Sequence, residues 1–415
     1  MRKKLFIVFI SAVLFFSSVS LAISLDRKTR DELYRQVELF SDAIAAIEAD
    51  YVDEVKARDL IYGALKGMLS SLDPHSQFMD PDTYNELKVD TEGRFGGLGI
   101  EISIRDNQLT IITPLEDTPA WRAGLKPGDR IVKINNELTR GMDLTAAMKR
   151  IRGKPGEAVN LTILRESAKK VLEFKIVREI IKINDIKEAK ILTDGIGYIR
   201  LIEFRENTAR DFKAAIQNLS RFKMKALILD LRNNPGGLLE SAIEITGEFI
   251  PNGKLVSYTK GRKADQNMQF IAQSKRPILD LPLVVLINEG SASGSEIVAG
   301  ALQDYKRATI LGTKSFGKGS VQTVIPLSDG SALKLTTSKY FTPLGQEIHG
   351  KGVTPDIVLD ITPKEESSQQ LLEEAGLSNK PQKDKQPWDY KADAQVMAAL
   401  NFLKSGALPK PKAAK

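Results

Sequence analysis

The chain has no cysteine and only two histidines, His75 and His349, among 415 residues. The first absence excludes a disulfide scaffold, a thiol nucleophile, a cysteine-ligated metal site and a lipidated cysteine anchor. The second leaves little from which to build a histidine-based triad, since neither histidine lies near Ser291, Ser293 and Ser295 in sequence. No internal repeat is present, and no basic stripe interleaved with aromatics. The formal net charge of +7 falls to +4 once Arg2, Lys3 and Lys4 are set aside, too weak a balance to argue for nucleic acid. What remains is ordinary globular material, 42% hydrophobic and 27% charged, long enough for two or three domains.

The first segment, "MRKKLFIVFISAVLFFSSVSLAISLD", has a positive start, an apolar run from Leu5 to Phe16, and the small-x-small pattern Ser20-Leu21-Ala22. It reads as a secretory signal peptide over 1–22, or else as an uncleaved anchor. Either way the rest of the chain is expected across the cytoplasmic membrane, in the periplasm or on the outer face of the inner membrane.

Residues 26–90 read as a helical region. Leu33, Val37, Phe40, Ile44 and Ile47 recur at spacings of four and three, an apolar seam that packs on its own domain or meets a second copy. A second helix carries Leu60, Ile61, Ala64, Leu65 and Met68, ahead of Pro74. Residues 91–178 change character: "FGGLGIEISI" is a glycine-rich turn entering a strand, Pro127-Gly128-Asp129 is a turn, and "LTAAMKRIRG" is a short helix closed by Gly153. This compact unit resembles a bacterial PDZ domain, on "AGLKPGDRIVKIN" and on Gly97-Leu98-Gly99-Ile100, the match to the carboxylate-binding loop. Such a loop cradles a peptide's terminal carboxylate on backbone N–H groups, and the strand behind it accepts an added strand. Residues 179–360 alternate apolar strands with helices near 238–249 and 295–304, then turn β-rich after Lys318, which predicts a mixed α/β core. Residues 361–415 hold a polar linker, one helix with Val396, Ala399, Leu400 and Leu403 on a face, and a basic tail.

Three chemistries compete in the core. Gly312 to Lys318 spells GxxxxGK after a strand, but Gly319 stands where a P-loop needs Ser or Thr, and a strand follows instead of a helix. Nucleotide hydrolysis therefore ranks low. Gly290-Ser291-Ala292-Ser293-Gly294 is not G-x-S-x-G. Lysine is the remaining base. A free amine is protonated at neutral pH, and burial away from carboxylates is what would neutralise it. Lys318 is flanked by Phe316, Gly317 and Gly319, and the next acidic residue is Asp329. If it opens a strand, Lys318, Ser320 and Gln322 share one face. Taken alone, it reads as a solvated turn lysine, the commoner fate of that residue.

Ser293, Lys318 and Gln322, in "GSASGSEIVAGALQD" and "GTKSFGKGSVQ", match the pattern of the carboxyl-terminal processing proteases, the tail-specific S41 serine peptidases. The resemblance extends through "LILDLRNNPGGLL", "YFTPLGQEIHGKGVTPDI" and "LDPHS". It implies an α/β multidomain protein: a ClpP/crotonase-like peptidase core with an inserted PDZ-like domain and helical ends. It implies Ser293 as nucleophile, Lys318 as base and Gln322 as its aiming partner. Ser291 and Ser295 are then structural, with Ser295 a helix N-cap. The oxyanion hole falls to the N–H groups of Gly294 and of Gly237, with Gly236 the second choice. Relatives often carry Ala at the position of Gly294, which leaves backbone donation intact and the turn looser here. No metal or cofactor is required. The implied partners are C-terminal tails of secreted or membrane proteins, a second copy of the chain through the N- and C-terminal helices, and an adaptor or regulator. The PDZ-like unit is expected to gate the site. The alternative is a binding-only adaptor with a decayed catalytic core.

Overall fold

The computed structural model describes residues 31–360 and 388–405. The expected signal segment, most of the polar linker and the basic tail lie outside the described residues. The described residues form two compact units: 31–80 with 324–335, and 81–323 with 336–360 and 388–405.

The first unit holds the N-terminal helices, one over 31–50 and one at Ala57–Ser70. The strand Gln77–Met79 runs antiparallel to residues 332–334. Tyr62 ties this unit together. Its ring lies 4.7 Å from that of Phe78, and its hydroxyl donates to Asp329 Oδ2 at 2.7 Å. Hydrogen bonds from Ser331 and Tyr62 hold the Asp329 carboxyl down at about 2. The seam of the first helix, however, is not packed on its own domain. Leu33, Val37, Phe40 and Ile47 are 41–62% exposed, an apolar stripe turned to solvent.

In the second unit, the PDZ-like insertion is a sheet ordered Ile100–Arg105, Gln108–Pro114, Arg130–Ile134, Ala158–Arg165, Lys170–Val177. Leu98, Ile111, Ile131, Ile134, Leu161 and Ile163 fill its core at 0–1% exposure. Along strand Ala158–Arg165 the buried Val159, Leu161 and Ile163 alternate with more exposed neighbours, as the period of two demands. The helix Leu144–Ile151 starts at Asp143, whose carboxylate accepts the Ala146 N–H at 2.7 Å. It ends on Arg152 in extended conformation, so Gly153 is not its left-handed cap. Gly153 serves close approach instead: its N–H donates to Gly96 O, and a Cβ on Gly96 would collide with the Gly153 carbonyl.

The core of this unit is a six-stranded sheet ordered Ile186–Ile191, Ile196–Leu201, Ala226–Asp230, Leu283–Ile287, Thr309–Gly312, Ile357–Val358. The first pair is antiparallel and the rest are parallel. Helices Thr208–Arg221, Leu239–Gly247 and Gly294–Asp304 cover one face, through Leu227, Leu229 and Val285. The C-terminal helix Ala394–Ser405 covers the other, with Val396, Ala399 and Leu400 against Ile228, Val284 and Leu286. Both faces are covered, so the central strands read as continuous apolar runs. Arg232 anchors the C-terminal segment, bridging Asp230 at 2.6 Å and Asp393 at 2.7 Å.

One joint links the PDZ-like insertion to the core. Strands Arg94–Gly97 and Glu179–Lys182, its entry and exit, pair antiparallel. Arg205 reaches the Asp90 carbonyl at 2.8 Å on the entry side and the Asp185 carboxylate on the exit side. Its neighbour Phe204 bonds the turn before helix Leu239–Gly247, with its N–H to Gly236 O at 2.8 Å and its carbonyl accepting from Leu238 N–H at 2.6 Å.

Candidate active site

Ser293 sits at the point where strand Leu283–Ile287 hands over to helix Gly294–Asp304, as the N-cap of that helix. Its backbone has φ +52° and ψ −109°. A non-glycine residue there stores about 1–3 kcal/mol of strain, which the surroundings must hold. The side chain is 7% exposed, and its Oγ lies 3.1 Å from Tyr340 Oη. At a helix N-terminus, free N–H groups and the dipole favour negative charge.

What holds the strained residue is Glu296, which is 0% exposed. Its Oε2 accepts the backbone N–H of Ser293 at 2.8 Å and that of Lys318 at 2.9 Å. Its Oε1 accepts the Gly317 N–H and the Ser315 hydroxyl, both at 2.6 Å. The Ser315 oxygen already receives the Val353 N–H at 2.7 Å, so its proton points to the carboxylate. Four donors surround Glu296, an arrangement that favours its ionised form. Burial nonetheless pushes its pKa above the usual carboxylate range, against the opposing pull of Ser315 and the backbone N–H groups. Because one oxygen holds both amides, the Ser293 and Lys318 nitrogens lie no more than 5.7 Å apart, the sum of the two bond lengths.

The lysine arm is fixed from its far side as well. The strand Ser320–Pro326 begins two residues after Lys318. Gly319 passes so close to His349 that a Cβ would collide with the His349 amide. Gln322 Nε2 donates to Ser320 Oγ at 2.9 Å and to Thr336 Oγ1 at 3.4 Å. Its oxygen is the atom suited to receive an amine proton. Lys318 is half-buried. The expectation that no carboxylate lies near it needs correction: Glu296, distant in sequence, touches its backbone. Residues 313–319 form no helix, and Gly312 closes a strand with φ +132°, so the P-loop geometry is absent there.

The glycine turn lies against the nucleophile. A Cβ on Gly236 would sit 2.7 Å from Ser293 Cβ and 2.8 Å from Gly294 N. The Gly236 N–H is committed to Asn234 Oδ1 at 2.9 Å. Gly237 bridges Phe204 in parallel register, and the bonds of that bridge come from its two neighbours, so its own N–H faces away from Phe204. Asn234, fully buried, joins turn and elbow: its carbonyl accepts Ala292 N–H at 3.0 Å and Ser295 Oγ–H at 2.9 Å. Ser295 is therefore a tie to this turn, and the helix cap is Ser293. A Cβ at Gly294 would press Phe204 at 3.1 Å and Ala242 at 3.3 Å. Glycine here relieves crowding rather than loosening the turn.

Ser291 Oγ donates to Leu231 O at 2.8 Å, a structural role. His349 lends its main chain to the lysine arm, while its Nδ1 is buried without a hydrogen bond among the described residues. In the PDZ-like insertion, Leu98 is fully buried and Gly99 has φ +73°, where a Cβ would collide with Thr118. The Leu98 and Gly99 carbonyls turn inward to the Ala120 and Leu115 N–H groups. Ile100 opens a strand paired on one side only among the described residues. No group of three acidic or histidine side chains arranged for a metal occurs among the described residues.

Comparison with known proteins gives the geometry its relatives. The model described as peptidase family S41 matches residues 195–359, a PDZ domain model matches 110–165, and the N-terminal domain model of the activating protease CtpB matches 17–83. A carboxy-terminal-processing protease of Bartonella bacilliformis is 46% identical over 367 residues, covering 86% of this chain and 83% of that one. The carboxy-terminal processing protease CtpB of Bacillus subtilis is 38% identical over 335 residues, covering 80% and 68%. Among solved structures, a photosystem II D1 C-terminal processing protease is 30% identical, covering 78% of this chain and 92% of that one, with a TM-score of 0.44. Identity sustained over most of both chains, with family models on the core and on the PDZ sheet, assigns the protein: it belongs to the S41 peptidases, as a carboxy-terminal-processing serine protease that carries a PDZ domain.

Proposed function

We propose that this protease works outside the cytoplasmic membrane as an endopeptidase, with Ser293 as nucleophile, Lys318 as general base and Gln322 aiming the amine. The observation that carries the reading is the shared Glu296 oxygen, which keeps the Ser293 and Lys318 backbones within 5.7 Å. Lys318, uncharged at the moment of attack, takes the Ser293 hydroxyl proton as Oγ bonds to the peptide carbonyl carbon. The oxyanion meets the Gly294 and Gly237 N–H groups, donors of the kind worth about 3 kcal/mol of barrier each. The protonated amine then gives its proton to the leaving nitrogen, and water, deprotonated by the same lysine, releases the acyl group.

The tail is proposed to bind along strand Ile100–Arg105, adding an antiparallel strand to its unpaired edge. The backbone of Gly97, Leu98, Gly99 and Ile100 would receive the terminal carboxylate. The inward turn of the Leu98 and Gly99 carbonyls supports this, because it commits their oxygens elsewhere. Arg205 supports a gating role for the PDZ-like insertion. It grips the entry and exit of that insertion, and it adjoins Phe204, to which the oxyanion turn is bonded. A second copy of the chain is proposed to cover the exposed seam of helix 31–50. The C-terminal helix has spent its apolar face on its own sheet.

Ser293→Ala tests the reading. The purified variant is expected to retain a tailed substrate without cutting it, and mass spectrometry of what it holds from an envelope extract would name the tails. Undiminished cleavage by Ser293→Ala would overturn the assignment. A wild-type protein that binds tails but never cuts them would favour the adaptor reading.

A further inference from the structure

Tyr340 stands at the nucleophile without a role in the scheme above. It lies in strand Ala332–Phe341, 47 residues from Ser293 in sequence, and its Oη is 3.1 Å from Ser293 Oγ. The ring is 5% exposed and packs in the main core, so its position is set by packing. Its backbone is locked to the lysine arm: the Tyr340 N–H donates to Gly319 O at 2.8 Å, next to Lys318. The same strand pairing that sets Lys318 therefore also sets Tyr340.

We propose that Tyr340 is a further catalytic residue, whose phenolic O–H donates a hydrogen bond to Ser293 Oγ whenever negative charge gathers on that oxygen. The inference rests on Ser293 as nucleophile. A phenol is a stronger donor than an alkyl hydroxyl, and the serine oxygen is the better acceptor. With Tyr340 as donor, the serine keeps its own proton free for the base. Charge rises on Oγ twice. It rises first as Lys318 removes the proton, and passes to the carbonyl oxygen once the Oγ–C bond has formed. It rises again as that bond breaks in deacylation and Oγ departs with its electron pair, to be reprotonated by the lysine. Tyr340 keeps its proton throughout. Burial, helped by the nearby Glu296 charge and opposed by the Ser293 hydrogen bond, pushes the phenol above its ordinary range, which keeps it a donor.

Tyr340→Phe removes only the hydroxyl. Matched ester and amide peptides with the same acyl group should both lose kcat by about 100-fold, the scale for one donor on a reacting oxygen, with KM little changed. Ser293→Ala, run beside it, should be inactive. If Ser293→Ala still cuts, the nucleophile itself is wrong. If Ser293→Ala is dead while Tyr340→Phe cuts at the wild-type rate or faster, the tyrosine proposal fails and the nucleophile stands. Replacing Tyr340 with 3-fluorotyrosine reads the role without a packing change. The more acidic phenol should move the alkaline loss of kcat to lower pH, and an unmoved limb would overturn the proposal.

Discussion

Glu296→Gln is the substitution that separates a packed serine from a positioned one. Glutamine has the same shape but keeps a single acceptor. Whichever way the amide turns, its NH2 meets two of the four donors: Ser293 and Lys318 N–H, or Ser315 O–H and Gly317 N–H. Two charge-assisted bonds at about 1.5–3 kcal/mol each are forfeited. Losing a buried charge returns some of that, because desolvating an ion costs several kcal/mol. The expected net loss is about 2–4 kcal/mol of stability. The effect on turnover should exceed the effect on folding, since misplacing reacting groups by about 1 Å costs on the order of 100-fold. Urea unfolding measures the first and kcat at full folding the second. The pH dependence carries a sign. The folded pKa of Glu296 is raised, so the folded state holds its proton longer than the unfolded chain does. Wild-type stability from this group therefore falls as pH rises from the ordinary glutamate value through the raised one, and the glutamine variant should lack that slope. A variant equal to wild type in stability and turnover would refute the reasoning.

Two further outcomes follow from the same geometry. Gly236→Ala places a methyl 2.7 Å from Ser293 Cβ on a backbone at φ +103°; turnover should drop at least about 10-fold with the fold retained, read as kcat against the thermal midpoint. Val37→Glu with Phe40→Glu charges the seam of helix 31–50, where the two side chains are 51% and 41% exposed; sedimentation should show smaller particles than wild type, and an unchanged mass would remove that helix from the assembly.

The order of elements was open to sequence reading because the signals were local: apolar alternation in the PDZ sheet, continuous apolar strands in the core, and Gly and Pro at the turns. Ser293, Lys318 and Gln322 came to notice through family resemblance, not through any property of a lysine in a turn. Glu296 left one trace, the Ser293-x-x-Glu296 spacing of a capping box. That spacing predicts the bond to Ser293 N–H but not the reach to residues 315–318. Tyr340 left none, since its contact with Ser293 exists only once strand Ala332–Phe341, which belongs to another sheet, packs against the start of helix Gly294–Asp304. The helix 31–50 shows the limit from another side. Its periodicity marks an apolar face, but whether that face is buried depends on what covers it. The C-terminal helix had the same kind of face and found the sheet, with the Asp393–Arg232 pair beside its first turn.

The amine base is the central claim, and Lys318→Ala tests it most directly. Cleavage of a tailed protein substrate should fall by about 10²–10⁴-fold, the contribution of a positioned general base, with the variant still folded and still binding the tail. A rate within about twofold of wild type would contradict the account.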